Sequence, residues 1–153
     1  MTASGALLRV LPGAGPNALT VLIHLEEIAR IEPDFSRRLA ALGGDPTRLR
    51  LTNAEAQRHD ILRDMDIGAG EAGYRFGAQI AIDRALVLAA SLSQPLRDAD
   101  VAAARHGAGQ ILPVKAADFM PGLKGPALGA ALKQAEARWI ASGFTLTRND
   151  LLA

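Results

Sequence analysis

Two histidines and an aspartate could supply ligands for a metal ion that hydrolyses phosphate esters. His59 and Asp60 are adjacent and His24 lies upstream; such sites use a His, a His-Asp pair and a distant Asp. Arg58 and Arg63 flank the pair, and their positive charge opposes a bound cation. The segment is therefore interpreted as a solvated polar helix face, and the metal-dependent hydrolase is kept as an alternative.

Two other spacings are typical of nucleotide chemistry. Asp64 and Asp66 are separated like the carboxylates that hold two metal ions in nucleotidyl transfer. The glycines 68, 70 and 73 match the dinucleotide-binding pattern G-x-G-x-x-G. Both sites need a β-strand before them, whereas the residues that precede them here are predicted to be helical. No catalytic residue and no metal ligand is therefore predicted in this chain.

The segment 111–132 has the pattern of two helices joined by a Pro-Gly-x-x-Gly turn. The first helix is predicted at Val114–Met120 and the second at Pro126–Ala141. Gly122 and Gly125 leave the backbone of the turn uncovered. The first amides of the second helix have no partner within the helix and carry partial positive charge. Such a turn can accept a phosphate without reading a base.

Two lysines add positive charge to this turn, Lys115 before it and Lys124 within it. With Gly122 and Gly125 they are the predicted phosphate-binding residues of a helix-hairpin-helix-like unit. The same turn chemistry serves an ordinary connection between helices, where the glycines only allow the C-cap geometry. Both interpretations stay open on the motif alone.

A second candidate surface combines aromatic and basic side chains. Tyr74, Arg75 and Phe76 are consecutive, and Arg84 lies further along the same predicted helix. Such a surface could contact RNA by stacking and by charge. In the favoured alternative the aromatic rings are buried and the arginines are solvated. For Trp139, the apolar residues on neighbouring turns likewise favour core packing over base stacking.

The composition indicates closely packed helices in one domain or slightly more. Hydrophobic residues make up 49% and aromatic residues only 4% of the 153 residues, whereas a β-sandwich needs more β-branched and aromatic side chains. The net charge of +1 means that any nucleic-acid site must be local. Cysteine is absent, which excludes disulfides and thiolate chemistry.

Capping patterns place most of the helix starts. The predicted caps are Asn17, Asp34, Asp45 before Pro46, Thr52 with Glu55, and Thr147, and another helix begins at Asp98 or Asp100. Residues 66–73 predict a loop, and the longest helix is predicted from about Tyr74 to Ser91. The fold class is therefore all-α: a multi-helix bundle with a C-terminal helix-hairpin-helix-like unit and no substantial sheet. A weak boundary at 92–97 divides a helical body, 1–95, from a C-terminal helical tail, 96–153.

The N-terminal residues lack the basic and apolar segments of a signal peptide, and no apolar run approaches the about 20 residues that span a bilayer. We expect a cytoplasmic protein without a membrane partner.

Several segments together resemble the C-terminal half of the CCA-adding tRNA nucleotidyltransferase and poly(A) polymerase family, in its alphaproteobacterial form. Leu49-Arg-Leu-Thr-Asn-Ala-Glu55 resembles the family segment RLSNAE, and Pro113-Val-Lys-Ala-Ala-Asp-Phe-Met120 resembles P-x-K-G-x-D-L-M/L. Gly125-Pro-Ala-Leu-Gly129, with Trp139 and Phe144, resembles G-P-x-x-G followed by W and F. Three further segments fit in the same order along nearly the whole chain: Leu8-Arg-Val-Leu-Pro12, Pro33–Leu42 and Tyr74-Arg-Phe-Gly77 with the helix after it.

Two departures from the family pattern fall in the hairpin: Ala116 stands where the family often has glycine, and Lys124 enters the turn. The catalytic head motifs, Gly-Gly-x-x-Arg-Asp and Asp-x-Asp on strands, and the neck motif Glu-Asp-x-x-Arg are not found in this sequence. The resemblance therefore implies that Met1 begins a C-terminal fragment or a stand-alone relic of the family.

The resemblance implies a non-catalytic body and tail that grip the elbow of tRNA, or another structured RNA, while a missing catalytic head adds nucleotides. The Mg²⁺ and the CTP or ATP would belong to that head, and no cofactor is expected in this chain. The expected RNA contacts are Lys115, Gly122, Lys124 and Gly125, with Arg75 and Arg84 on the body. The alternatives are a helical protein-interaction or oligomerisation module and an HD-type metallophosphohydrolase.

Overall fold

The computed structural model describes residues 4–64, 66–120 and 122–153, and within these ranges the fold is all-α, as predicted. It contains ten α-helices, one 3₁₀ turn at Pro46–Arg48 and no β-strand. The helices are α1 (Ser4–Val10), α2 (Pro16–Ala29), α3 (Phe35–Leu42), α4 (Asn53–Arg63), α5 (Ala69–Phe76), α6 (Ala78–Ser91), α7 (Asp98–Ala108), α8 (Ala116–Phe119), α9 (Gly125–Ala141) and α10 (Arg148–Leu152).

Most of the predicted helix caps are confirmed. The Asp34 carboxylate accepts from the amide of Arg37 at 2.8 Å, and that of Asp45 accepts from the amide of Thr47 at 3.0 Å. Thr147 caps α10, and α7 begins at Asp98. The cap predicted at Asn17 is wrong: Gly15 is the N-cap of α2, because Pro16 already occupies a first-turn position, where its missing N–H costs nothing.

Thr52 and Glu55 form a capping box at the start of α4. The Thr52 hydroxyl accepts from the amide of Glu55 at 3.3 Å. In return, the Glu55 carboxylate accepts from the amide of Thr52 at 2.7 Å and from its hydroxyl at 2.8 Å. The hydrogen bond from the Thr52 backbone, and to a smaller extent the one from its side chain, holds the pKa of Glu55 below its usual value.

We expect Thr52→Ala to lower the free energy of unfolding by about 1 kcal/mol, because α4 loses its cap. The pKa of Glu55 is lower in the folded protein than in the unfolded chain. Its ionised carboxylate therefore stabilises the fold at a pH above the unfolded-state pKa, and this stabilisation is lost as the pH falls through the folded-state pKa. Alanine keeps the backbone bond to Glu55 and removes only the hydroxyl bond. Urea denaturation at neutral pH and at about pH 3 should therefore show a slightly smaller difference between variant and wild type in acid. An equal difference at both pH values would contradict this role of Glu55.

The loop predicted at 66–73 is wrong in its second half, because α5 begins at Ala69. The long helix predicted from Tyr74 is also wrong: it is interrupted at Gly77, whose φ of +87° ends α5 before α6 begins at Ala78. The glycines of α5 do not form a loop; they allow α5 and α7 to pack closely. A Cβ placed on Gly73 would overlap the carbonyl oxygen of Ala104 in α7, and a Cβ on Gly107 would overlap that of Gly70.

Helix α6 is the centre of the body and packs against α2, α3, α4, α5 and α7. Its small side chains Ala81, Ala85, Ala89 and Ala90 are buried and allow these neighbours to approach closely. Helix α7 follows the boundary predicted at 92–97, yet it packs on α5 and α6. The division at 92–97 therefore stays a prediction, and α7 lies with the body helices.

The three C-terminal helices pack on one another around a separate hydrophobic cluster. Its buried members are Val114, Ala135, Trp139 and Leu151. Residues 114–153 thus form the tail, and α1–α7 form the body.

Candidate nucleic-acid interface

The hairpin exists, with a shorter first helix than predicted. Helix α8 covers only Ala116–Phe119, and α9 begins at Gly125, one residue earlier than predicted. Gly125 has a φ of +57°, a conformation that favours glycine. Gly122 is exposed, and a Cβ there would meet only the Phe119 carbonyl oxygen, at 3.6 Å. The turn is thus open to solvent, and Gly125 is the glycine that its backbone needs.

The start of α9 has no side-chain cap. Lys124 is its N-cap residue, in an extended conformation, and Pro126 follows in the first turn. Because no side chain caps this end, the first amides are free to bond to water or to a ligand. The exposed Lys124 forms no ion pair among the described residues. The predicted features of a phosphate contact therefore occur together at this turn.

The Asp118 carboxylate lies close to Lys115, whereas Lys124 forms no ion pair with any described carboxylate. The Lys115 amide donates to Asp118 at 2.7 Å, and Arg148 donates to the same carboxylate at 2.7 Å. The hydrogen bond from Arg148, and to a smaller extent the one from the Lys115 amide, lowers the pKa of Asp118, so the Asp118 carboxyl group stays ionised. Asp118 therefore offsets part of the positive charge that Lys115 brings to the hairpin.

Arg75 is exposed but already paired. Its Nε donates to Glu71 at 2.7 Å, and its guanidinium lies 3.9 Å from Glu136. The bond to Glu71 raises the pKa of Arg75. An RNA phosphate at this position would compete with two carboxylates that are already in place.

The predicted surface position of Arg84 is wrong. The side chain is only 2% exposed, and its Nε and Nη2 have no hydrogen-bond partner among the described residues. Burial lowers the pKa of Arg84, an effect that Asp64, Asp66 and Glu71 oppose. The reason for the burial is tertiary: α6 is surrounded by body helices, so the polar positions at its centre, Asp83 and Arg84, are removed from solvent.

The interpretation of Trp139 as a core residue is confirmed. Its ring is 2% exposed and makes edge contacts with Tyr74 and Phe144, with ring centroids at 5.4 and 5.0 Å. Tyr74 and Phe76 are partly buried, as expected in the favoured alternative for that segment. Trp139 therefore offers no free ring face for base stacking.

The geometry required for the HD-type alternative does not occur. His24 is exposed on α2, whereas His59 is 3% exposed in α4, with its Nδ1 3.6 Å from an Asp60 carboxylate oxygen. Within residues 4–64, 66–120 and 122–153, no three His, Cys, Asp or Glu side chains converge as metal ligands would. The polar helix face predicted at 57–60 is also only partly correct, because His59 is buried.

The carboxylates Asp64 and Asp66 follow a helix, as the sequence indicates. Asp64 is the C-cap of α4, and its carboxylate accepts from the amide of Asp66 at 2.9 Å. The two residues therefore form a local turn after a helix.

A buried ion network, not predicted from the sequence, joins α2, α3 and α6. Arg37 is 2% exposed and donates to Glu26 at 2.9 Å, to Asp83 at 2.6 Å and to the Glu32 carbonyl at 2.6 Å. Burial disfavours the charged guanidinium, but the bonds to Glu26 and Asp83 outweigh it and raise the pKa of Arg37. Glu26 and Asp83 are themselves 2% and 1% exposed.

Two further arginines complete the network. Arg38 donates twice to Glu26, at 3.0 and 2.8 Å, and Arg58 of α4 reaches Asp83 at 2.8 Å and Asp34 at 3.4 Å. Three carboxylates thus face three guanidinium groups, and the charges cancel. The network holds four helices together and leaves no net charge for a ligand.

None of the helices described combines the length and the apolar character that crossing a membrane requires.

Comparisons with protein-family models, with curated proteins and with solved structures find no match for this chain. The resemblance drawn from the sequence motifs therefore stays a prediction.

Proposed function

We propose that this chain is a non-catalytic RNA-binding region, comparable to the body and tail of a CCA-adding tRNA nucleotidyltransferase. The observation that carries the proposal is the uncapped start of α9, which follows an open turn and Lys124, a cation with no ion pair in the described part of the chain. Backbone amides and a lysine in this arrangement suit a phosphate oxygen. The RNA would be held by its backbone and its shape, as is usual for structured RNA.

The charge distribution supports a local contact. The net charge is only +1, so the field of the whole protein attracts RNA weakly. On α9, the exposed Lys133 adds to Lys124, and neither forms an ion pair among the described residues. A site built from so few cations should bind weakly at physiological salt.

In this proposal, another domain carries out the nucleotidyl transfer itself. A catalytic head would supply the Mg²⁺, the CTP or ATP and the nucleotidyl transfer, and the body and tail would fix its distance from the tRNA elbow. A cytoplasmic location, where tRNA is processed, belongs to the same proposal.

A tRNA titration at low and at physiological salt, with a DNA duplex as the control ligand, tests the proposal. We expect saturable binding that prefers tRNA and weakens as salt rises. The double variant Lys115→Ala with Lys124→Ala should weaken RNA binding. It should also make the slope of log K against log salt shallower, by an amount that corresponds to the loss of up to about two charges from the contact.

The matched control is Arg50→Ala with Arg105→Ala. It also removes two exposed cations that form no ion pair among the described residues, but they lie outside the hairpin. The control should keep the wild-type slope. An unchanged slope in the hairpin variant, or an equal loss in the control, would show that the hairpin does not bind the phosphates.

A protein-interaction module is the second candidate, and two exposed apolar side chains favour it. Ile111, just before the tail, is 85% exposed, and Met120 at the hairpin is 51% exposed. If tRNA fails to bind at low salt, light scattering of the wild type and of Ile111→Ser with Met120→Ser tests self-association through these side chains. Association in the wild type that the variant loses would support this candidate.

A further inference from the structure

The tail is joined to the body by few side chains. Helices α8 and α10 pack on α9, and none of the three packs along the length of a body helix. Among the described residues, Tyr74 is the single body residue in the hydrophobic cluster of the tail. The segment 109–115, between α7 and α8, contains no helix. The backbone between the two units can therefore bend without breaking a helix.

The joint contains one hydrogen bond, a longer contact of 3.9 Å between the Arg75 guanidinium and the Glu136 carboxylate, and a small group of rings. The Tyr74 hydroxyl donates to Glu136 at 2.9 Å, and the Tyr74 ring lies 5.4 Å from Trp139 and 5.9 Å from Phe144. Phe144 also contacts His106 of α7, with ring centroids at 5.8 Å. Each such contact contributes little by itself, so a different orientation of the tail would cost only a few of them.

Two open clefts flank the joint. One, of about 530 Å³, lies at the end of α5 between Tyr74, Arg75, Phe76 and Glu136. The other, of about 390 Å³, lies at the start of α5. Its walls come from both units, with Gly68, Gly70, Glu71, Ala103 and His106 from the body and Ile140, Ala141, Gly143 and Phe144 from the tail. The tail thus has space to move towards either end of α5.

We propose that the tail, residues 114–153, rocks on the body about Tyr74, and that the Tyr74–Glu136 hydrogen bond favours the orientation in which Tyr74 contacts Trp139. The rocking belongs to the protein without ligand and does not depend on RNA binding. In this view, the two clefts close and open in opposition, since one narrows as the tail tilts towards it.

Distance measurements between two spin labels test the proposal, and the absence of cysteine makes the labelling specific. Gln57→Cys on α4 and Gln134→Cys on α9 are both at exposed positions. We expect pulsed electron paramagnetic resonance to give one major distance and a second, minor one. Tyr74→Phe keeps the ring and removes the hydrogen bond, so it should raise the ratio of minor to major distance about fivefold, the effect of losing one net hydrogen bond.

Two controls separate rocking from general loosening. A label pair within the body, Gln57→Cys with Ala102→Cys, should give a single distance in both backgrounds. Asp118→Asn weakens the pair with Arg148 inside the tail and should leave the distance ratio of the Gln57–Gln134 pair unchanged.

A single narrow Gln57–Gln134 distance in both wild type and Tyr74→Phe would overturn the proposal, as would an equal change in Asp118→Asn. If circular dichroism shows that Tyr74→Phe does not fold, Glu136→Ala removes the same hydrogen bond from the other side together with the 3.9 Å contact to Arg75, so it should raise the ratio at least about fivefold.

Discussion

Replacing Arg37 with methionine should lower the free energy of unfolding by about 3–5 kcal/mol, the usual effect of removing one partner from a buried ion pair. Glu26 and Asp83 would remain buried, and the carbonyl oxygen of Glu32 would lose its donor as well. Since a domain has only about 5–15 kcal/mol in total, this single change is expected to bring the protein close to unfolding. Urea denaturation followed by circular dichroism at neutral pH measures the loss.

Two comparison variants make the result specific. Arg97→Met removes an equally well-formed arginine–carboxylate pair, with both bonds to Asp100 at 2.9 Å, but the Arg97 side chain is 72% exposed. Its unfolding midpoint should stay close to that of the wild type. Arg37→Lys keeps the charge but not the planar fork that reaches three acceptors, so it should recover only part of the stability. A wild-type midpoint for Arg37→Met would mean that Arg38 and Arg58 suffice to neutralise both acids.

Gly73→Ala should lower the free energy of unfolding by at least about 2 kcal/mol, since the added methyl group overlaps the backbone of α7. Two effects oppose each other at this position. Alanine favours a helix over glycine by about 1 kcal/mol, but the atom it meets is the carbonyl oxygen of Ala104, which cannot move without shifting the helix. Packing should therefore outweigh propensity. Thermal and urea unfolding of the variant measure the net effect.

Gly129→Ala is the matched control for this prediction. Gly129 also lies inside a helix, α9, but it is exposed and a Cβ there would meet nothing within 4 Å. Only the propensity effect remains, so the control should gain about 0.5–1 kcal/mol. If both variants were stabilised alike, the close contact between α5 and α7 would not exist in solution.

The helix starts could be predicted because their chemistry is local. Asp34, Asp45, Thr52 and Thr147 each bond to amides two or three residues away, so a short stretch of sequence contains both partners. The hairpin could be located for the same reason, since Gly125 acts on its own backbone. Its length could not, because only Ala116–Phe119 turns as a helix before the chain packs on α9.

The burial of charge could not be predicted from any single motif. Arg37 meets Asp83, which lies 46 residues away along the chain, and the partners are paired only once α3 and α6 pack. One signal was present in the helical periodicity, because the charges share faces with buried apolar residues. The acids Glu26 and Asp83 lie on the faces of Leu22 and Val87, and the base Arg37 lies on the face of Ala40 and Ala41. Charges of opposite sign on the apolar stripes of different helices indicate a buried pair. The same periodicity test applies to Arg84, on the face of Ala81.

The glycines of α5 show why composition misled the loop prediction. Gly70 and Gly73 disfavour a helix intrinsically, and a glycine-rich stretch usually indicates a loop. Here the helix forms because α7 approaches so closely that no larger side chain fits. That requirement comes from the partner helix and cannot be read from residues 68–73 alone.

Trp139 is the only tryptophan of the chain, and it is buried in the tail between Tyr74 and Phe144. The tryptophan fluorescence of the whole protein therefore originates at one place, two residues before the end of α9. The far-ultraviolet dichroism, in contrast, is produced mainly by the seven helices of the body. The two optical signals thus report mainly on two different parts of one molecule without any added label: tryptophan emission records the tail, and dichroism records mainly the body with its ion network.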